Sequence, residues 1–200
     1  NVSISFTWPR VSLNFGYRRD KQRTLQDEIE VAGQDSLTNE YNGSLTLMLN
    51  NSASINVAVT NASLASLSSP EGDNSTFTLN VGGSFRRGAA LVLNPVFGYS
   101  RALNKFTSEE NIAYNSILTG ELTLVPQIFS LNFSGAYNHS KAISLVTDIY
   151  NATGGLNLYL DKLIKIGSVV LSVRGNYTLN KIGPESVSDY RVFLQLDFSF

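Results

Sequence analysis

The sequence predicts an all-β fold, an antiparallel up-and-down β-barrel of about eleven strands. Apolar and polar residues alternate with a period of two along almost the whole chain, which is the spacing of side chains on the two faces of a strand. Polar turns and longer polar segments separate the alternating stretches. No stretch shows a convincing helical period, and none approaches about 18 uninterrupted apolar residues, so a transmembrane helix is excluded.

The strands are defined by residues that share one parity. In residues 2–8 every second residue is apolar, and the phase changes after Pro9 and Arg10. The same alternation recurs in each later segment, where the polar parity carries mainly Ser, Asn, Thr and Gly. In chain order the predicted strands lie at residues 2–8, 11–18, 41–49, 54–60, 76–85, 91–100, 114–124, 129–138, 150–160, 169–178 and 189–200.

Short and long links alternate between these segments. The short links lie at residues 9–10, 51–52, 86–88, 126–127 and, slightly longer, 161–167. An up-and-down sheet with tight turns at one rim and long loops at the other is typical of transmembrane β-barrels. The predicted long loops lie at residues 20–37, 67–74, 103–111, 139–148 and 180–188.

The aromatic residues predict the depth of the sheet in a membrane. Eight of the nine tyrosines have the parity of the apolar face and stand at the long-loop end of their strands, and a second aromatic set stands at the tight-turn end. Two aromatic bands with aliphatic residues between them mark the edges of a bilayer. At a tilt of about 45°, the strand from Tyr190 to Phe200 rises about 23 Å, close to the apolar band of such barrels. The predicted membrane-interface aromatics are Tyr17, Tyr41, Tyr99, Tyr114, Tyr137, Tyr150, Tyr177, Tyr190, Trp8, Phe85, Phe129 and Phe198.

The apolar face is therefore predicted to contact lipid, and the polar face to line an aqueous lumen. A soluble barrel would hold its Leu, Val and Phe inside instead. Charges on the polar face are sparse, and they either pair across the lumen and hold the shape of the barrel or bias which solutes pass. The predicted lumen-lining residues are Arg18, Glu121, Tyr159, Arg174, Arg191 and Asp197.

The last segment, DYRVFLQLDFSF, ends the chain on an apolar residue. Its apolar parity resembles the C-terminal signature of Gram-negative outer-membrane proteins, with aromatics at alternate positions and a final Phe. This resemblance is to a superfamily of architecture, and it implies that Phe200 is an assembly signal for the barrel-assembly machinery. The residues that carry it are Tyr190, Val192, Leu194, Leu196, Phe198 and Phe200.

The strand count bears on the extent of the barrel. Bacterial single-chain barrels have an even number of strands with both ends in the periplasm, and counting back from Phe200 places Asn1 on the outer side. Either residues 2–8 are not a barrel strand, which leaves about ten, or earlier strands are missing and the barrel has about twelve or more. The full alternation of residues 2–8 favours the second. We expect residues 1–200 to be a single barrel domain, the C-terminal portion of a longer chain.

Composition excludes several other classes of function. The net charge is −1 and the basic residues form only one small cluster, at residues 18–23, so no nucleic-acid partner is expected. The chain has no cysteine, which excludes disulfides and thiolate metal sites. Metal-ligand spacing is absent, and no metal or cofactor is predicted.

A single histidine, His139, raises the possibility of an outer-membrane hydrolase. Such an enzyme needs a histidine beside a carboxylate or a serine. His139 has no Asp two residues away, and Ser140 would point to the opposite face of a strand. The sequence therefore predicts a polar loop residue, and a protein that is not an enzyme.

The leading functional hypothesis is an aqueous pore in the outer membrane of a Gram-negative bacterium, for passive or export passage of solutes or polymer. The alternative is a non-conducting barrel that anchors a periplasmic domain or other envelope subunits. An outer-membrane hydrolase is the third hypothesis. The expected partners are outer-membrane lipid and, during biogenesis, the barrel-assembly machinery.

Overall fold

The computed structural model describes residues 1–22, 25–26, 29–30, 36–66, 73–126, 128–143, 145–160 and 168–199. Throughout these residues the regular structure is β-strand, and none of them forms a helix that could cross a membrane. The strands are β1 (Val2–Trp8), β2 (Val11–Gln22), β3 (Leu25–Gln26), β4 (Ile29–Glu30), β5 (Ser36–Asn50), β6 (Ala53–Ser66), β7 (Asn74–Arg87), β8 (Leu91–Asn104), β9 (Glu110–Val125), β10 (Phe129–Ala142), β11 (Leu145–Tyr159), β12 (Ser168–Ile182) and β13 (Glu185–Ser199).

Eleven of the strands form one sheet in the order β1-β2-β5-β6-β7-β8-β9-β10-β11-β12-β13, and β3 pairs only with β4. Every neighbouring pair is antiparallel. Each strand therefore lies beside the strand that precedes it in this sheet, which is an up-and-down meander. The predicted all-β, antiparallel, eleven-stranded fold is confirmed.

The two edges of the sheet are β1 and β13. In the described residues neither edge strand pairs with the other. Because neighbours alternate in direction, the first and eleventh strands run the same way. The sheet thus presents two parallel edges with free hydrogen-bonding groups.

The two faces of the sheet differ in burial as well as in polarity. The described residues contain no buried hydrophobic core, and large apolar side chains such as Phe15 and Leu194 are 55% and 73% exposed. The buried residues are small and all have the polar parity: Gly16, Gly82, Gly98, Ser130 and Ser172. Side chains crowd together on a concave face and spread apart on a convex one. The polar face is therefore the concave face, and the apolar face is convex.

Asparagine side chains cover glycines on the concave face. A Cβ added to Gly82 would lie 2.7 Å from Oδ1 of Asn56, its cross-strand partner. At Gly98 the position of a Cβ is taken by Asn115, the cross-strand partner on β9. The amide of one strand thus fills the space left by the missing side chain of the next, as aromatic rings do over glycines in other sheets. The abundance of Asn and Gly is in this way a packing feature of the concave face.

The strands are longer than the sequence predicts, and this changes the pattern of links. Residues 139–142 and 145–148 continue the β10–β11 ladder, and β12 and β13 meet at the two-residue link 183–184. Gly183 has a φ of 57° there, a conformation that suits glycine in tight turns. The predicted strict alternation of short and long links is therefore wrong for the last hairpins. Where polar residues lie on both faces, a strand shows no apolar periodicity, and the sequence does not predict it.

Two further predicted links differ from the structure or lie outside it. The predicted loop 20–37 contains the end of β2, the β3–β4 hairpin and the start of β5. The predicted tight link 161–167 lies outside the described residues.

Candidate functional site

A polar trough lies on the concave face of strands β9 to β13. Its centre is a row of cross-strand partners, one from each strand: Glu121, Asn132, Gly155, Arg174 and Phe193. A cavity of about 620 Å³ lies along this part of the sheet, and the last four residues of the row line it. The row joins a carboxylate, an amide, an open position, a guanidinium and an aromatic ring.

Gly155 provides the open position of the row. A Cβ at Gly155 would meet Cγ of Arg174 at 3.5 Å, so the arginine stem leans over the glycine. The amides of Asn176 and Gln195 and the hydroxyl of Thr153 also line the cavity. The trough therefore offers hydrogen-bond donors and acceptors around one cation.

Arg174 differs from the arginines that are paired on the same face. Nε of Arg191 lies 2.7 Å from Oδ2 of Asp189, and Arg18 forms an ion pair with Asp20. Within the described part of the chain, no carboxylate is ion-paired with Arg174. None of the described carboxylates therefore neutralises its charge directly.

The structure places all six predicted lumen residues at positions of the concave face, but not in one site. Glu121 and Arg174 share the central row, and Arg191 and Asp197 lie on β13 above and below it. Tyr159 ends β11, and Arg18 lies far away on β2. The role of these residues as a lumen lining remains a prediction.

The paired acids Asp20 and Asp189 were missed as members of this face. Each lies two residues from its arginine on the same strand. Two-residue spacing puts both side chains on one face, so the sequence contained the signal.

Eight of the nine tyrosines form four cross-strand pairs on the apolar face. The ring centroids lie 4.8 Å apart for Tyr17 and Tyr41, 5.2 Å apart for Tyr99 and Tyr114, and 4.8 Å apart for Tyr137 and Tyr150. The fourth pair, Tyr177 and Tyr190, is matched in register. We call these eight residues the tyrosine collar: Tyr17, Tyr41, Tyr99, Tyr114, Tyr137, Tyr150, Tyr177 and Tyr190.

The sequence predicts that the tyrosine collar lies at the ends of the strands. In the structure the strands continue beyond it. β2 continues through residues 18–22 beyond Tyr17, and β13 begins at Glu185, before Tyr190. The other collar strands extend in the same way. The sheet thus projects about 12 Å beyond the collar, for five residues at a tilt of about 45°.

Aromatic residues at the opposite end of the strands form a less complete band than the tyrosine collar. Phe6 and Trp8 stack with their ring centroids 6.0 Å apart, and Phe85 is 38% exposed on the same face. Phe129 begins β10, and Phe198 pairs with Val169 through the backbone. The predicted assembly signal Phe200 lies outside the described residues.

His139 corrects one prediction from the sequence. It lies in β10 rather than in a loop, and its Nδ1 is 2.7 Å from Oδ1 of Asp148, its cross-strand partner on β11. The hydroxyl of Tyr137 donates to the same oxygen at 2.9 Å. The sequence did not reveal this carboxylate, because the register of β10 and β11 brings Asp148 to His139 and the two residues are not close in the chain.

The His139 cluster lies on the apolar face, at the tyrosine collar. The imidazole ring of His139 contacts the rings of Tyr114 and Tyr137. The structure records no hydrogen bond from a serine or threonine to His139 among the described residues, and Ser140 lies on the other face of β10. No group of three metal-ligating side chains occurs in the described part of the chain. Among the described residues, the cluster is a polar bridge between two strands.

A solved structure has the same fold. The chain is similar to the outer membrane channel DcaP of Acinetobacter baumannii, with a TM-score of 0.64 and 13% sequence identity over 99% of this chain and 61% of that channel. The chain therefore spans less than two thirds of the length of DcaP. No family model and no curated protein match the sequence. At this identity the likeness shows the fold alone.

Proposed function

We propose that this protein is a pore in the outer membrane of a Gram-negative bacterium, through which small polar solutes pass. The observation that carries the proposal is the division of the sheet into an exposed, convex apolar face and a concave face of Ser, Asn, Thr and Gly. We infer that lipid contacts the first face, because none of the described residues covers it. The second face can hydrogen-bond water along the whole length of the strands.

The likeness to an outer membrane channel supports the same function. The tyrosine collar supports the location, because tyrosine rings at one depth match the interface between lipid tails and head groups. The strands beyond the collar would then project from the outer leaflet as a wall around the pore mouth.

We also propose that the pore is closed by strands other than those of this sheet. In the hydrocarbon region each unpaired backbone group costs several kcal/mol, so the edges of β1 and β13 need partners. Because these edges run in the same direction, closure that stays antiparallel needs an odd number of further strands. A second copy inserted the same way would offer only parallel edges.

Cysteine cross-linking tests this closure, since the chain has no cysteine of its own. Cysteines placed at Ser5 of β1 and at residues 191, 193 or 195 of β13 are expected to form no disulfide within one membrane-inserted chain. The control pair is Ser5→Cys with Asn14→Cys, which are cross-strand partners and should oxidise readily. Efficient linkage of β1 to β13 would show that the eleven strands close on themselves.

Planar-bilayer recording of the full-length protein tests the pore. We expect steady stepwise currents that scale with salt concentration. If protein that is folded, judged by heat-dependent electrophoretic mobility, carries no current, the pore is disproved and a non-conducting anchor barrel takes its place.

A further inference from the structure

We propose that the trough on β9 to β13 binds small organic monoanions in which a carboxylate is attached to a ring. The carboxylate would pair with Arg174, and the ring would lie against Phe193. This inference rests on the proposed pore and names the class of solute that the pore selects.

The position of Arg174 supplies the anion site. Arg174 is the cation of the trough lining, and among the described residues it has no ion-paired carboxylate. A guanidinium presents several N–H donors in a plane that matches a carboxylate. Arg191 and Arg18 would bind an anion more weakly, because Asp189 and Asp20 already neutralise their charges.

Phe193 supplies the ring contact. Of the described strand residues with the concave parity, only Phe193 and Tyr159 are aromatic, and Phe193 is 53% exposed. It is also the direct cross-strand partner of Arg174. Side chains of such partners have Cβ atoms about 5 Å apart, so one small aromatic acid can reach both side chains.

The other charges near the trough favour a single negative charge on the solute. Glu121 stands at the far end of the central row, three strands from Arg174 or about 14 Å at the usual spacing. It would repel a second carboxylate that extended towards β9. Asp197 accepts a hydrogen bond from Gln195 at 2.9 Å, and Asp189 is paired with Arg191.

The amides of the trough complete the site. Oδ1 of Asn157 accepts a hydrogen bond from Ser172 at 2.8 Å, so this side chain is held in place. Asn132, two strands from Arg174 in the central row, and Asn176, two residues after Arg174 on β12, also line the cavity. They can hydrogen-bond hydroxyl groups on the ring of the solute.

The experiment is benzoate block of the chloride current through the full-length protein in planar bilayers. For the wild type we expect benzoate to interrupt the current at concentrations about tenfold below acetate, which lacks the ring. Benzyl alcohol, which lacks the charge, should not interrupt it. Phe193→Leu should weaken the block by benzoate and leave the effect of acetate unchanged.

Arg174→Gln should raise the half-blocking concentration of benzoate about tenfold or more, because a charge-assisted hydrogen bond is lost. The matched control is Arg191→Gln, which removes the same charge from a neighbouring row outside the cavity lining and should change the block less than about twofold. Equal block of the wild type and Arg174→Gln, or equal loss in both variants, would overturn the proposal. Absence of current in the wild type would instead refute the pore itself.

Discussion

Replacing Leu118 with arginine is expected to destabilise the membrane-inserted protein by about 2–4 kcal/mol. Leu118 lies on the apolar face of β9, four residues from Tyr114 of the tyrosine collar, and its side chain is 43% exposed. In the proposed pore this position lies in the hydrocarbon region of the bilayer, where a guanidinium would lose its hydration. The free energy of unfolding, measured by guanidinium titration in phospholipid vesicles, gives the effect.

The adjacent Thr119→Arg is the matched control for Leu118→Arg. Thr119 lines the trough on the concave face, so the same side chain would enter water. We expect its free energy of unfolding to lie within about 1 kcal/mol of the wild type, with the ion selectivity of the pore shifted towards anions. If Thr119→Arg proved the more damaging substitution, the assignment of the two faces would be reversed.

Replacing Gly155 with tryptophan is expected to reduce single-channel conductance by at least about half. Gly155 is the open position of the central row, and its nearest neighbour on the concave face is the stem of Arg174. An indole there would fill part of the trough and displace the arginine. Single-channel recording in planar bilayers measures the change.

Gly154→Trp provides the control for this variant, because the two glycines are consecutive in β11 and face opposite ways. Nothing lies within 4 Å of a Cβ added to Gly154, so its indole would enter lipid. We expect normal conductance from this variant. Equal conductance in Gly155→Trp and the wild type would mean that ions do not pass along the trough.

Much of the fold was predictable from the sequence because one face of every strand follows a strict rule. Apolar residues at every second position, as in residues 2–8, predict a strand even when the strand that pairs with it is not known. The same rule assigned the eight tyrosines of the collar to the apolar face and Arg174 and Glu121 to the polar face. It failed at residues 139–148, where polar residues occur on both faces and the strands nevertheless continue.

The site was less predictable, because parity assigns a residue to a face but not to a neighbour. His139 and Asp148 are nine residues apart in the chain and share a hydrogen bond only because of the β10–β11 register. The pairing of Arg174 with Phe193 depends in the same way on the register of β12 and β13.

By itself, therefore, the sequence determined the fold class, the two faces and the face on which the tyrosines of the collar stand, since these follow from the alternation of side chains along each single strand. The tertiary structure alone decided the central row, the cover of glycines by asparagines and the two parallel edges. These features depend on register and strand order, which arise from hydrogen bonds between strands that no local pattern encodes.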